Sequence, residues 1–208
     1  MNESPPLSSA LDEEIARAEV YGLLARLWFA PPDAELLGAL GVAVTEAPVA
    51  GGFLEAPWRA LVGAARGTDV AGARDEYDAL FGGIGKPEVL LYGSHYLGGF
   101  LNDKPLAQLR TDVARLGLAR DETLGETEDH IACLCEVMRY LIAGDDAAVA
   151  NLKEQQVFFA RHVQPWVPVM CDAVLQHPKA RLYAALAGFT HSFVGVEAQG
   201  FDMLDGSF

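Results

Sequence analysis

Apolar residues recur at helical spacing along nearly the whole chain, and Gly and Pro punctuate them. Leu11, Ile15, Ala18, Leu24 and Trp28 fall on one helical face; Ser9 with Asp12 is a capping signal, and Pro31-Pro32 stops the helix. A second short helix is predicted from Pro32 to about Leu40, with Gly41 past its end, and then a loop over 42–56. Pro57 opens a helix that Gly67 closes. Thr68 or Asp69 caps the next, which carries Ala73, Tyr77, Leu80 and Phe81 and ends in Gly82-Gly83-Ile84-Gly85-Lys86-Pro87. A short helix is expected after Ser94, another from Pro105 to about Leu118, and one from Thr127 to Ala143 closed by Gly144. Asp145 opens a helix reaching about Val163, Pro165 and Pro168 begin a further one, and residues 179–199 supply the last. Strand-like alternation of useful length and repeats of about 20–50 residues are absent. The pattern predicts an all-α, single-domain bundle of roughly nine or ten helices over 1–208. Residues 1–8 are expected to be disordered and 82–104 to form a linker able to act as a hinge.

Composition narrows the function classes. A chain of 208 residues can bury a real core. It is 51% hydrophobic yet has no run of 18 apolar residues, which argues against a membrane span. Its polar, acidic start, MNESPPLSSALDEE, is unlike a secretory or transit peptide, so a cytoplasmic protein is expected. Cys133, Cys135 and Cys171 are too few, and odd in number, for a disulfide framework. Fifteen basic against 29 acidic side chains give a net charge of −14, the wrong sign for binding nucleic acid. That charge is compatible with simple solubility and equally with steering of a cationic peptide.

Two segments exceed what a helical core requires: Glu76–Tyr96 (EYDALFGGIGKPEVLLYGSHY) and Glu126–Met138 (ETEDHIACLCEVM). Tyr77, Leu80 and Phe81 share one helix face, a pattern that serves a core or a binding surface. The glycine turn after them leads into Leu90-Leu91-Tyr92-Gly93-Ser94-His95-Tyr96, the kind of loop where functional residues concentrate. Gly82, Gly83 and Gly85 lack the Gly-Lys-Ser/Thr of a P-loop and a preceding strand, which argues against a nucleotide site. In the second segment Ile131, Leu134, Cys135, Met138, Leu141 and Ile142 form an apolar stripe. Asp129, Cys133, Glu136 and Tyr140 are expected on the opposite face. Glu126, Glu128 and Asp129 suit the positive end of a helix dipole, whereas a protonated His130 does not. A neutral His130 is then free to hydrogen-bond a peptide ligand, or is satisfied locally.

Metal and catalytic chemistry find little support. Cys133 and Cys135 point to roughly opposite sides of a helix and cannot chelate one ion, and Glu126 and His130 lack the Glu-x-x-His spacing of a di-iron bundle. Ser94 and His95 are sequence neighbours without a Gly-x-Ser-x-Gly elbow. No catalytic residue, metal or cofactor is therefore assigned.

Taken in order, Tyr77-Asp78-Ala79-Leu80-Phe81, the glycine turn, Tyr92-Gly93-Ser94-His95-Tyr96 and Glu126-Thr127-Glu128-Asp129-His130 resemble the motifs of the TorD/DmsD family. Gln155–Val163 followed by Trp166 is similar to that family's Gln/Phe/His-x-x-x-Trp helix junction, so the likeness runs from about Asp12 to Glu197. Leu91 replaces the usual Pro before the aromatic, which loosens the loop. Thr127 replaces the Pro after Glu and is expected to cap the helix. The resemblance implies a cytoplasmic chaperone, not an enzyme, that binds the twin-arginine signal peptide of a molybdopterin oxidoreductase and assists cofactor insertion and folding before export. Formate dehydrogenases and dimethyl sulfoxide or trimethylamine oxide reductases are the implied clients, and monomers and helix-exchanged dimers both occur in the family. It further implies a peptide groove built from Tyr77, Leu80, Phe81, Leu91, Tyr92, Gly93, Ser94, Tyr96, Glu126, Asp129 and His130. Apolar residues there would take the hydrophobic stretch, and the carboxylates would take the guanidinium pair. The alternative is a helical adaptor or regulator without a signal-peptide client.

Overall fold

The computed structural model describes residues 7–45, 54–82, 86–101, 103–121, 123 and 125–205. Among them lie ten helices: α1 (Leu7–Phe29), α2 (Ala34–Val42), α3 (Glu55–Arg66), α4 (Val70–Phe81), α5 (Gly93–Gly98), α6 (Lys104–Arg115), α7 (Ile131–Ala143), α8 (Leu152–His162), α9 (Val167–Leu175) and α10 (Leu182–Asp205). The fold is all-α, and the one extended pairing among described residues is an isolated antiparallel bridge between Tyr92 and His130.

Local chemistry sets most of the boundaries. Asp33 caps α2 through a 2.8 Å bond from the Leu36 N–H, and Asp69 caps α4 by accepting from Gly72 at 2.8 Å. Gly67 and Gly144 close α3 and α7 as the punctuation predicts. Several starts differ from expectation: α2 begins at Ala34 rather than Pro32, and α3 at Glu55, inside the expected 42–56 loop, rather than at Pro57. α1 already includes Leu7 and Ser8, ahead of the Ser9 capping signal, while residues 1–6 lie outside the described residues. α7 begins at Ile131 rather than Thr127, because 127–130 is committed to a turn and to the bridge. α8 begins at Leu152 under an Asn151 cap; Asp146 instead organises a turn by accepting from Ala148 N–H at 3.0 Å. α10 begins at Leu182 because the N–H groups of the preceding residue and of its own first two find an acceptor elsewhere: Glu76 of α4 takes those of Arg181, Leu182 and Tyr183 at 2.7, 3.1 and 2.8 Å. In the expected hinge, 83–85 and Asn102 lie outside the described residues, and the stretch between them contains α5.

The principal packing is α1 against α7, and α10 packs against α9, α3 and α4. Tyr21, Leu24 and Trp28 of α1, Leu80 of α4, Ile131, Met138 and Leu141 of α7, and Tyr183 and Leu186 of α10 are buried in a single core cluster. Each large apolar side chain there contributes about 1.5–3 kcal/mol of burial free energy. Trp28 is pinned by an indole N–H to Thr190 Oγ1 bond of 3.1 Å, meets Phe81 edge-on and packs at a tilt against Tyr183. The buried Glu197 is neutralised by a two-pronged Arg17 contact, both arms 2.8 Å, with Tyr21 donating a third bond at 3.1 Å. That cluster ties the amino-terminal half of α1 to α10.

Candidate functional site

The two singled-out segments, separated by 29 residues, are brought together by backbone. The Gly93 N–H donates to Asp129 O and the Ile131 N–H to Leu91 O, each 2.9 Å, which makes the bridge around Tyr92 and His130. Side chains reinforce it. Asp129, 3% exposed, accepts from the Ser94 N–H at 2.8 Å with one carboxylate oxygen and from the Thr127 hydroxyl at 2.6 Å with the other. Thr127 therefore braces Asp129 and does not cap α7. His130 is the cap: its Nδ1 accepts from the Ala132 N–H at 3.2 Å. A capping Nδ1 must be unprotonated, and burial drives the imidazole pKa down to about 4 against the opposing pull of Glu126 and Asp129. The dipole conflict at the helix start is thus resolved by a neutral ring.

Above this brace sits a cluster of rings around one carboxylate. The Tyr92 hydroxyl donates to Glu126 Oε2, and its ring meets His130 edge-on with centroids 5.1 Å apart. Phe29, at the end of α1, meets His130 from another side at 6.2 Å. Tyr77 donates to Phe29 O at 2.8 Å, and burial with the nearby Glu126 charge pushes its phenol up to about 12. Beneath, Trp166 fills the space beside Gly93: a Cβ there would lie 3.0 Å from the indole Nε1, tight enough that the ring would have to shift by a few tenths of an ångström. Tyr96 stacks on the same indole with centroids 5.5 Å apart and donates to Leu90 O at 2.9 Å. Trp166 in turn donates to His162 O at 2.7 Å, and His162 Nε2 sits 2.8 Å from Asp112.

The expected site residues therefore divide by depth. Leu80, Leu91, Gly93, Ser94, Asp129 and His130 are buried, while Tyr77, Phe81, Tyr92, Tyr96 and Glu126 are half-buried. Leu91, expected to loosen the loop, belongs to the core. Asp129, expected on the helix face opposite the apolar stripe, lies before α7 and points inward.

Next to Glu126 opens a groove of about 660 Å³ between α1, the end of α6 with the residues after it, and α7. Its apolar lining includes Ala25, Phe29, Val113, Leu118, Val137 and Tyr140, and Glu126, Glu128, Arg26 and Arg139 stand among its charged residues. The size, and a mostly apolar surface edged by charged side chains, suit a ligand site. Reading the sequence missed Phe29, Val137 and Tyr140. A signal was present: Cys133, Val137 and Tyr140 recur at i, i+4 and i+7, so α7 is apolar on two faces and needs a second partner. Cys133 lines the groove, with its thiol pushed up to about 11 by burial and neighbouring carboxylates, while Cys135 faces the core. No group of three or more His, Cys, Asp or Glu suited to a metal occurs among the described residues. Nor, among them, is any helix long and apolar enough to cross a membrane.

Comparison with known proteins matches residues 52–172 to the family described as nitrate reductase delta subunit. Among curated relatives, the chain is 27% identical over 126 residues to a protein named Chaperone protein TorD from Vibrio cholerae, 57% of each chain being covered. It is 27% identical over 127 residues to the protein of that name from Aliivibrio fischeri, covering 57% of this chain and 59% of the relative. A third, from Photobacterium profundum, is 25% identical over 131 residues, covering 59% and 61%. The matches span about three fifths of the length of these relatives. The family match takes in more than half of the chain, including both bridged segments and the Trp166 support. The chain belongs to the nitrate reductase delta subunit family, the TorD/DmsD family that its two motif segments resemble.

Proposed function

We propose that this protein is a redox-enzyme maturation chaperone that binds the twin-arginine signal peptide of a molybdopterin oxidoreductase before export and assists cofactor insertion and folding. The observation that carries the reading is the groove: an apolar floor from Phe29, Val113, Leu118, Val137 and Tyr140, with the Glu126 carboxylate at its edge. A twin-arginine peptide offers the matching sequence of groups, a guanidinium pair followed by an apolar stretch. In this reading Glu126 receives a guanidinium, which carboxylates bind through strong charge-assisted bonds. The rings of Tyr92 and Tyr77 stand beside it, and Phe81 backs Tyr77. Leu80, Leu91, Gly93, Ser94, Tyr96, Asp129 and His130 form the rigid base that sets Tyr92 and Glu126 in place. The relatives named as TorD chaperones support the class of function. The client is a formate dehydrogenase or a dimethyl sulfoxide or trimethylamine oxide reductase, and co-purification with the native partner identifies which.

The test is titration with a synthetic peptide carrying two arginines ahead of an apolar segment. Glu126→Gln keeps an acceptor for Tyr92 but removes the charge, and should weaken binding about tenfold. Val137→Asp, which puts a charge on the apolar floor, should weaken it at least as much. Unchanged affinity in both variants, with wild-type circular dichroism, rejects the groove as the binding site.

A further inference from the structure

Resting on the peptide reading above, we infer that the groove dictates the direction of its ligand. The cationic, amino-terminal flank of the peptide lies at Glu126, and the carboxyl-terminal flank of its apolar stretch lies toward Arg26 and Arg139.

The inference begins with the helix directions. Phe29 of α1 meets His130 at the start of α7, whereas a Cβ on Gly22 would lie 3.1 Å from Arg139 Cδ, well along α7. The two helices are therefore antiparallel, and the groove above them has distinct ends. One end, at the start of α7, holds Glu126 and Glu128. The other, toward the end of α7, holds Arg139, Tyr140, Ala143 and Gly144. Arg26 lies one turn before Phe29, and helical side chains tilt toward the amino terminus of their own helix, which for α1 is the Arg139 end.

The charges on the walls then differ in what they already bind. Glu128 is held by Arg110 through two 3.0 Å contacts, with Arg120 nearby, and Arg139 is held by Glu136 at 2.7 Å. Glu126 takes only the neutral Tyr92 hydroxyl and forms no salt bridge among the described residues. Arg26 likewise forms no salt bridge among them. Among the groove's charged residues, the carboxylates of Glu126 and Asp121, the latter held only by Thr123, and the Arg26 guanidinium thus form no salt bridge among the described residues, and Glu126 and Arg26 do not neutralise each other. In a chain with 29 acidic and only 15 basic side chains, a cation without a salt bridge on a ligand groove stands out. A ligand with a positive leading end is attracted at Glu126 and repelled at Arg26. Reversing it would set like charges together at one end and leave the carboxylate unanswered at the other.

The experiment uses the full chain and two versions of the twin-arginine peptide, each with a benzophenone amino acid on one flank. The amino-terminal probe should label residues 118–133, and the carboxyl-terminal probe should label α1 near Arg26 or residues 139–144. A second arm varies the charge of the carboxyl-terminal flank. Wild-type protein should favour an Asp flank over a Lys flank about threefold, within the range of partly exposed ion pairs. Arg26→Glu should reverse that preference, and Arg26→Ala should abolish it. Labelling in the opposite sense, or equal labelling of both ends by both probes, overturns the direction while leaving peptide binding intact. Absence of any saturable binding overturns the peptide reading and this inference together.

Discussion

His130 does two jobs that a charged imidazole cannot do, since it caps α7 through an unprotonated Nδ1 and packs its ring between Phe29 and Tyr92. Burial holds its pKa at about 4, below the ordinary value of about 6.5. A base with a depressed folded pKa binds fewer protons in the native than in the unfolded state between those values. Stability must therefore rise with pH from 4 to 6.5 and fall as the solution is acidified through that window. The expected loss is on the order of 2–3 kcal/mol. His162, also held low by burial against the pull of Asp112, adds to the wild-type slope in the same direction. His130→Asn keeps a capping acceptor and removes the titration, so denaturant melts across pH 4–7 should show a shallower slope for it than for wild type. His130→Ala should cost a further ~1 kcal/mol at neutral pH through the lost cap. Equal slopes in wild type and His130→Asn would mean that the imidazole is not held neutral.

At the level of elements, the start of α10 depends on a residue more than 100 positions away. Glu76 accepts three consecutive N–H bonds there, and a carboxylate at a helix amino terminus also gains from the macrodipole. Glu76→Ala should destabilise the protein by about 2 kcal/mol, seen as a melting temperature several degrees lower, and should raise amide exchange at 181–183. Glu76→Gln, which keeps one acceptor oxygen, should fall between. Uniform exchange at 181–183 in all three proteins would show that water caps the helix equally well. The α5 segment is equally constrained: Gly93→Ala drives a methyl into the Trp166 indole and should cost about 1–3 kcal/mol.

For the molecule as a whole, peptide binding should separate into two terms. Charge attraction at Glu126 is screened beyond about 10 Å at 0.1 M salt, so affinity should fall as salt rises. Burial of the apolar stretch against Phe29, Val137 and Tyr140 should persist at high salt and carry a negative heat-capacity change. Lysines in place of the peptide's arginines should weaken only the first term, since lysine keeps the charge and loses the fork. Phe29→Ala and Tyr140→Ala should weaken only the second, because both side chains stand more than a third exposed and contribute little to the core. Calorimetry over a salt series reads both, and affinity flat with salt together with intact binding in the two variants would move the peptide to another surface.

How much of this was legible before folding follows from the range of the forces involved. The helix count, the all-α class and the Asp69, Gly67 and Gly144 boundaries were readable, because caps and breakers act within one turn of the backbone. The two motif segments were readable too, by their order along the chain. The delayed start of α7, the capping of α10 by Glu76 and the inward turn of Asp129 were not. Each depends on a hydrogen-bond partner from a remote part of the chain, and linear spacing carries no information about that partner. The groove is the extreme case. The periodicity of α7 discloses a second apolar face, but only the antiparallel packing of α1 on α7 and the approach of the α6 end turn that face into a cavity with Glu126 at one end and Arg26 nearer the other. Composition announced a surplus of negative charge, and tertiary structure alone decided which carboxylates would line the groove without a cation.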